Sequence, residues 1–106
     1  MELTEKKCIP CEGGIPALDA DQIRKYLGEL NNWNLSENLK ISKTFSFINF
    51  RHTMDFVNKV ADLAESEGHH PDMIVSYGTC VVELWTHAIH GLSENDFILA
   101  AKIDRI

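Results

Sequence analysis

The sequence predicts an α+β domain. The order is helix–strand–strand–helix–strand–strand–helix, with a four-stranded antiparallel sheet and the helices on one of its faces. Three observations carry this reading. Apolar residues recur at helical spacing after Asp19, from Phe50 to Glu67, and after Ser93. Apolar and polar residues alternate between Leu39 and Phe47 and again between Met73 and Leu84. The strands come in pairs joined by turn-forming residues, which implies hairpins, and hairpin-linked strands build an antiparallel sheet.

Taken in order, residues 1–16 read as an irregular N-terminal arm punctuated by Pro10, Gly13, Gly14 and Pro16, and residues 17–106 as the folded domain. The first helix opens at Asp19. Asp19 and Gln22 have capping-box spacing, and Leu18 and Ile23 stand at the hydrophobic-staple positions. Ile23, Leu27 and Leu30 form its inward stripe, and Asn31-Asn32 closes it. Trp33 and Leu35 mark a short strand, and Glu37-Asn38 a turn. In the next strand Leu39, Ile41, Phe45 and Phe47 share a face on which Lys43 is the polar intrusion. The main helix spans Phe50 to Glu67, with Phe50, Met54, Val57, Ala61 and Ala64 as its stripe, widened by Phe56, Val60 and Leu63. Gly68 suits its C-terminal stop, and Pro71 favours an extended His70. Met73, Val75 and Tyr77 alternate in the third strand, and Cys80, Val82 and Leu84 in the fourth, with Gly78-Thr79 as the turn. The last helix opens at Ser93, with Asp96 at capping-box spacing and Leu92 and Phe97 as the staple.

The chain has 106 residues and a formal net charge of -6, which fits one small domain and argues against nucleic acid or an anionic membrane surface as partner. No apolar run is long enough to span a bilayer, and no secretory signal is visible. Three cysteines do not make a disulfide framework, so a reduced, cytoplasmic protein is the expectation.

The candidate chemistry lies between Glu65 and Asp96. Three of the five histidines, His69, His70 and His87, fall there with Glu65, Tyr77 and Thr86. Histidine titrates nearest neutral pH, so such a cluster points to proton transfer. With Gly78-Thr79 as the loop, Tyr77 faces Cys80 and His70 faces His87, which brings two imidazoles to one place. His69 is adjacent, and Glu65 lies one helical turn before it. Close imidazoles disfavour simultaneous protonation, while Glu65 and the helix C-terminus favour imidazolium, so one histidine can serve as acid and another as base. Glu65 also reads as an ordinary exposed helix carboxylate, Asp96 as a helix cap, Tyr77 as hairpin packing, and His52 and His90 as surface residues. Trp85 points away from the main core, as an oligomer contact or an exposed aromatic. Two metal readings stand beside these: the three histidines with a carboxylate, and the Cys8–Cys11 pair, which lacks the ligands of a structural zinc site. Neither nucleotide-binding loops nor a serine-hydrolase elbow is present.

The same residues resemble the signature of the pterin-4a-carbinolamine dehydratase family. Glu65, His69-His70-Pro71, Tyr77, His87 and Asp96 stand at its intervals. The flanks are similar too: Asp55-Phe56-Val57, Thr86-His87, Gly91-Leu92-Ser93, and a lead-in, Cys8-Ile9-Pro10-Cys11-Glu12-Gly13-Gly14, like that of bacterial-type members. The resemblance implies dehydration of 4a-hydroxytetrahydrobiopterin to quinonoid dihydrobiopterin, the step that recycles tetrahydropterin for aromatic amino-acid hydroxylases. Such a hydroxylase is then a candidate partner, and a homodimer or homotetramer the expected assembly. Some animal members also bind a homeodomain transcription factor, which does not follow from this motif. The resemblance assigns His69 as general acid, His70 and His87 to pterin binding and proton transfer, Glu65 and Asp96 to support, and Pro71, Thr86, Ala88 and Ile89 to the substrate. Elimination leaves the electron count unchanged, so it calls for no metal and no other cofactor. His90 and Ser93 depart from the family's usual residues, and Ser93 caps as well as the usual Thr.

Overall fold

The computed structural model describes residues 2–9 and 16–106. Pro10, Cys11, Gly13 and Gly14 of the expected arm lie outside the described residues. The elements follow the predicted order: α1 (Ala20–Leu27), β1 (Asn34–Ser36), β2 (Lys40–Ser46), α2 (Phe50–Glu67), β3 (Asp72–Val75), β4 (Thr79–Leu84) and α3 (Glu94–Ile103), with 3-10 turns at Leu3–Glu5 and His87–Ile89. The strands form one antiparallel sheet in the order β1-β2-β4-β3.

Local chemistry explains most boundaries. Asp19 Oδ1 accepts from the Gln22 amide at 2.9 Å, and Gln22 Oε1 accepts from the Asp19 amide at 3.0 Å, a reciprocal cap that starts α1. Asn49 starts α2 by accepting from the His52 amide. Gly68 ends α2 with φ of 67°, where an L-residue's Cβ is crowded. Glu37 and Asn38, both at positive φ, make the β1–β2 turn. α1 ends at Leu27, before the expected Asn31-Asn32, because the chain tightens: Glu29 and Leu30 donate three residues back, to Tyr26 and Leu27.

The core lies between the sheet and the helices. Ile41, Cys80, Val82 and Leu84 point into it from the central strands, and Ile23, Val60, Phe97, Ile98, Leu99 and Ile103 meet them. Each such aliphatic or aromatic side chain contributes about 1.5–3 kcal/mol on burial. Leu92 and Phe97, the predicted staple, are both fully buried. The inward face of α2 is rotated from the expected stripe. Thr53, Phe56, Val60 and Ala64 are its buried residues, while Phe50 is 48% exposed. Thr53 goes inside because its hydroxyl donates within reach of two carbonyls, Asn49 at 2.9 Å and Tyr77 at 3.0 Å. Lys43 does face inward. Its ammonium meets Asp104 at 2.7 Å and the Asn31 carbonyl at 3.0 Å, and the same nitrogen lies 5.1 Å from the Phe45 ring centroid and 6.0 Å from that of Trp33.

The β3–β4 hairpin differs from the expected register by two residues. Val75 pairs with Cys80 and Met73 with Val82, so Tyr77-Gly78 is the loop and Tyr77 is an exposed tip. A two-residue slip leaves every side chain on the same face, so alternation cannot detect it. Gly78 serves close approach: a Cβ there would lie 3.1 Å from the Phe47 carbonyl oxygen, which sits in the adjoining turn.

The described part of the arm is tied to the body. Leu3 and Cys8 are buried. Lys6 pairs with Glu94 at 2.7 Å, the Cys8 amide donates to Glu67 at 2.9 Å, and Lys102 reaches the other Glu67 oxygen at 2.6 Å. Burial, reinforced by Glu67, pushes the Cys8 thiol up to about 12. Burial also pushes Glu67 upward, but hydrogen bonds from Lys102 and the Cys8 amide outweigh it and hold the carboxyl below its usual range. The Lys6 hydrogen bond chiefly holds Glu94 down, aided by the Tyr26 hydroxyl against burial.

Replacing Gly68 by Ala costs about 1 kcal/mol in chemical denaturation. No atom lies within 4 Å of the added Cβ, so the cost is the backbone's. The depressed Glu67 and Glu94 values make arm docking acid-labile. Their contribution is complete above the ordinary glutamate pKa of 4.5 and is lost as pH falls through the lowered folded values. Hydrogen exchange at the Cys8 and Ile9 amides, followed on acidification, measures this. Protection of these amides should fall before global unfolding.

Candidate active site

The end of α2, the end of β4 and the first turn of α3 meet at one edge of the fold. Gly68 reverses the chain there, and its amide and that of His69 both donate to the Ala64 carbonyl. That reversal swings His69 toward α3, where its Nε2 lies 2.6 Å from Asp96 Oδ1. His70 turns back over the last turn of α2, and its Nε2 meets Glu65 Oε2. Glu65 therefore serves His70 rather than His69, its partner in the sequence reading, and the carboxylate that His69 meets is that of Asp96. The cause is the left-handed corner at Gly68, which breaks the helical register between Glu65 and His69.

Asp96 is fully buried and engages three donors. Besides His69, the Thr86 hydroxyl donates to its Oδ2 at 2.8 Å and the Ser93 amide at 2.9 Å. Thr86 has one hydroxyl proton and gives it to Asp96, so Ser93 is the donor in the 2.7 Å pair between the two hydroxyls. Asp96 is thus both the cap of α3 and the partner of His69; the two readings of this residue coexist.

His87 does not oppose His70. It lies in the 3-10 turn beyond β4, a loop closed by backbone hydrogen bonds between Thr86 and Gly91. Its ring stacks on Trp85 with centroids 3.8 Å apart, and its Nε2 is 4.0 Å from Asp72 Oδ2. The Trp85 indole donates to the same Asp72 oxygen at 3.2 Å, and Lys40 lies over its ring. Trp85, read from sequence as an outward aromatic, does face away from the core, where it seats His87.

A cleft of about 340 Å³ connects these groups. His69, His70, Pro71, Thr86, His87 and Ala88 line it, and Ile89 does not. Glu65 and Asp96 stand behind their histidines, and Tyr77 is at the far tip of the β3–β4 hairpin. His52 and His90 are exposed. Sequence reasoning missed Ile9, Asp72 and Asn95, which also line the cleft. Asp72 follows the His-His-Pro run directly, which was a usable signal; Ile9 and Asn95 had none. Of the Cys8–Cys11 pair, Cys11 lies outside the described residues, and the Cys8 thiol sits 3.6 Å from the Asn95 carbonyl. Among the described residues no three His, Cys, Asp or Glu side chains are arranged to hold a metal ion. No described helix is long and apolar enough to cross a membrane.

A sequence profile of the family described as pterin 4 alpha carbinolamine dehydratase matches residues 16–106. The chain belongs to that family. A Rickettsia bellii protein named as a pterin-4-alpha-carbinolamine dehydratase is 54% identical over 103 residues, spanning 96% of this chain and 91% of its own. A Nitrosomonas europaea protein of the same name is 55% identical over 106 residues, spanning 99% and 93%. Among solved structures, a transcriptional coactivator/pterin dehydratase from Brucella melitensis superposes with a TM-score of 0.79 at 28% identity, covering 84% of this chain and 96% of its own. A pterin dehydratase-like protein described as a RuBisCO assembly factor of the alpha-carboxysome shares the fold, with a TM-score of 0.61 at 22% identity over 71% of this chain and 88% of its own. The pterin dehydratase family is one of hydro-lyases, and the α+β architecture of this chain is the family's.

The dependence of the site on Asp96 is testable. Thr86→Val removes one of its three donors inside the protein. It should cost about 1–3 kcal/mol in denaturant titration, more than a surface Thr→Val change such as Thr44→Val.

Proposed function

We propose that this protein dehydrates 4a-hydroxytetrahydrobiopterin to quinonoid dihydrobiopterin, with His69 as the general acid. The observation that supports this best is the His69–Asp96 pair, set beside a cleft that also exposes His70 and His87. A carboxylate only accepts, so His69 Nε2 holds its proton against Asp96, and Nδ1 is the nitrogen that exchanges one with substrate. When Nδ1 is also protonated, the ring is cationic and the Asp96 carboxylate balances it within a buried hydrogen-bond network.

In the reaction, the Nδ1 proton goes to the 4a-hydroxyl oxygen. The C4a–O bond breaks and water leaves. The N5–H bond then gives up its proton, and its electron pair forms the C4a=N5 double bond. His70 and His87 are the candidate acceptors of the N5 proton. Glu65 orients His70 from the end of α2, and Trp85 and Asp72 orient His87. Pro71, Thr86 and Ala88 are carried over as substrate contacts by family resemblance, whereas Ile89, which does not line the cleft, is carried over as part of the Thr86–Gly91 loop that holds His87 and Ala88. Recycling of tetrahydropterin for an aromatic amino-acid hydroxylase is the role this chemistry suits, in the cytoplasm and as a homo-oligomer.

Turnover of freshly generated 4a-carbinolamine, followed by ultraviolet absorbance, tests the assignment. General acid–base groups typically contribute 10²–10⁴-fold, so His69→Ala should lower kcat by about that factor with the fold retained. Glu65→Gln, which disturbs only the orientation of His70, should cost about tenfold or less. Full activity in His69→Ala would sink the role given to His69.

A further inference from the structure

Ile9 is an apolar side chain held in water. It is 70% exposed, yet both of its backbone hydrogen-bonding groups are taken by one buried side chain. The Ile9 amide donates to Asn95 Oδ1 at 3.0 Å, and Asn95 Nδ2 donates to the Ile9 carbonyl at 2.6 Å. Asn95 itself is only 5% exposed and directly precedes Asp96, the partner of His69. The preceding amide, that of Cys8, is fixed on Glu67 at the end of α2. An exposed loop residue normally leaves its backbone to water. Here the sequence spends a buried amide on placing an isoleucine, and both Ile9 and Asn95 line the cleft that holds the histidines. Ile9 also lies before residue 16, where the segment matched by the family profile begins.

We propose that Ile9 is a specificity-determining residue, an apolar lip that packs against the carbon chain carried at C6 of the bound pterin. This rests on the dehydratase reading. C6 is bonded to N5, the atom that must lie near the histidines. Deep placement of the reacting bond, beside a His69 side chain that is 11% exposed, sends a substituent on C6 toward the rim of the cleft. Ile9 stands on that rim. Asn95 is a positioning residue: it holds the lip and touches no reacting atom.

The experiment compares wild type, Ile9→Ala and Ile9→Val on two freshly generated 4a-carbinolamines, one with a dihydroxypropyl group at C6 and one with a methyl group. In Ile9→Ala, KM for the dihydroxypropyl substrate should rise about tenfold, with a clearly smaller rise for the methyl substrate. Its kcat on both should stay within a factor of about two, because the lip binds ground and transition states alike. Ile9→Val should restore most of the affinity. Thermal midpoints should stay within about 2 °C, since the side chain is mostly in water. An unchanged KM on both substrates overturns the proposal. An equal rise on both overturns it too, because contact with the ring alone does not discriminate. Wild-type protein that turns over neither substrate defeats the dehydratase reading and this inference with it; active wild type with indifferent Ile9 variants defeats only the inference.

Discussion

The buried carboxylate of Asp96 is the constraint on which the site depends. A carboxylate inside a protein is costly unless its acceptors are filled, and this one is filled from three directions. The Ser93 amide comes from the start of α3, the Thr86 hydroxyl from beyond β4, and the His69 ring from beyond α2. None of these three segments can shift without leaving Asp96 short of a partner. The requirement that one side chain be satisfied therefore fixes the relative placement of three segments, and that placement is the floor of the cleft. The arm strengthens the same corner from outside, through Glu67 and Asn95.

Two kinds of support hold the histidines. His69 is backed by a buried network, with 11% of its side chain exposed. His70 and His87 face exposed carboxylates, Glu65 and Asp72, and His87 gains a stacking surface from Trp85. Surface ion pairs are weak and screened by salt, whereas an enclosed one resists rotation of the ring. The roles proposed follow this division: the most enclosed imidazole supplies the proton to the leaving group, and the more accessible two handle the substrate. The likeness to a RuBisCO assembly factor at 22% identity shows that the fold alone does not decide such roles.

How much of this was legible in the sequence depends on how local the signal was. Caps at Asp19 and Ser93 and the stop at Gly68 are written within four residues, and they placed the helices well. Strand alternation placed β2 and β4 correctly for the same reason. The expected pairing of His70 with His87 failed because period 2 cannot distinguish registers two residues apart, and the true loop, Tyr77-Gly78, is set by hydrogen bonds reaching it from Phe47 and Thr53. The buried face of α2 was displaced because Thr53 reads as polar until its two carbonyl acceptors are seen. The Asn95–Ile9 clamp joins residues far apart in the chain, and nothing periodic announces it. The family resemblance supplied Asp96 as a site residue, but only the coordinates show it meeting His69 while Glu65 meets His70.

The corner at Gly68 has a stereochemical meaning. Glycine is the one achiral residue, and φ of 67° is the mirror-image region that a D-residue would enter without strain. The direction in which His69 leaves the helix, and hence which carboxylate each imidazole meets, is set where the chain carries no handedness of its own. A D-alanine at this position, introduced by chemical ligation, would occupy the same backbone and keep the same pairing. The arrangement of the two histidines is thus inherited from a missing methyl group rather than from either imidazole.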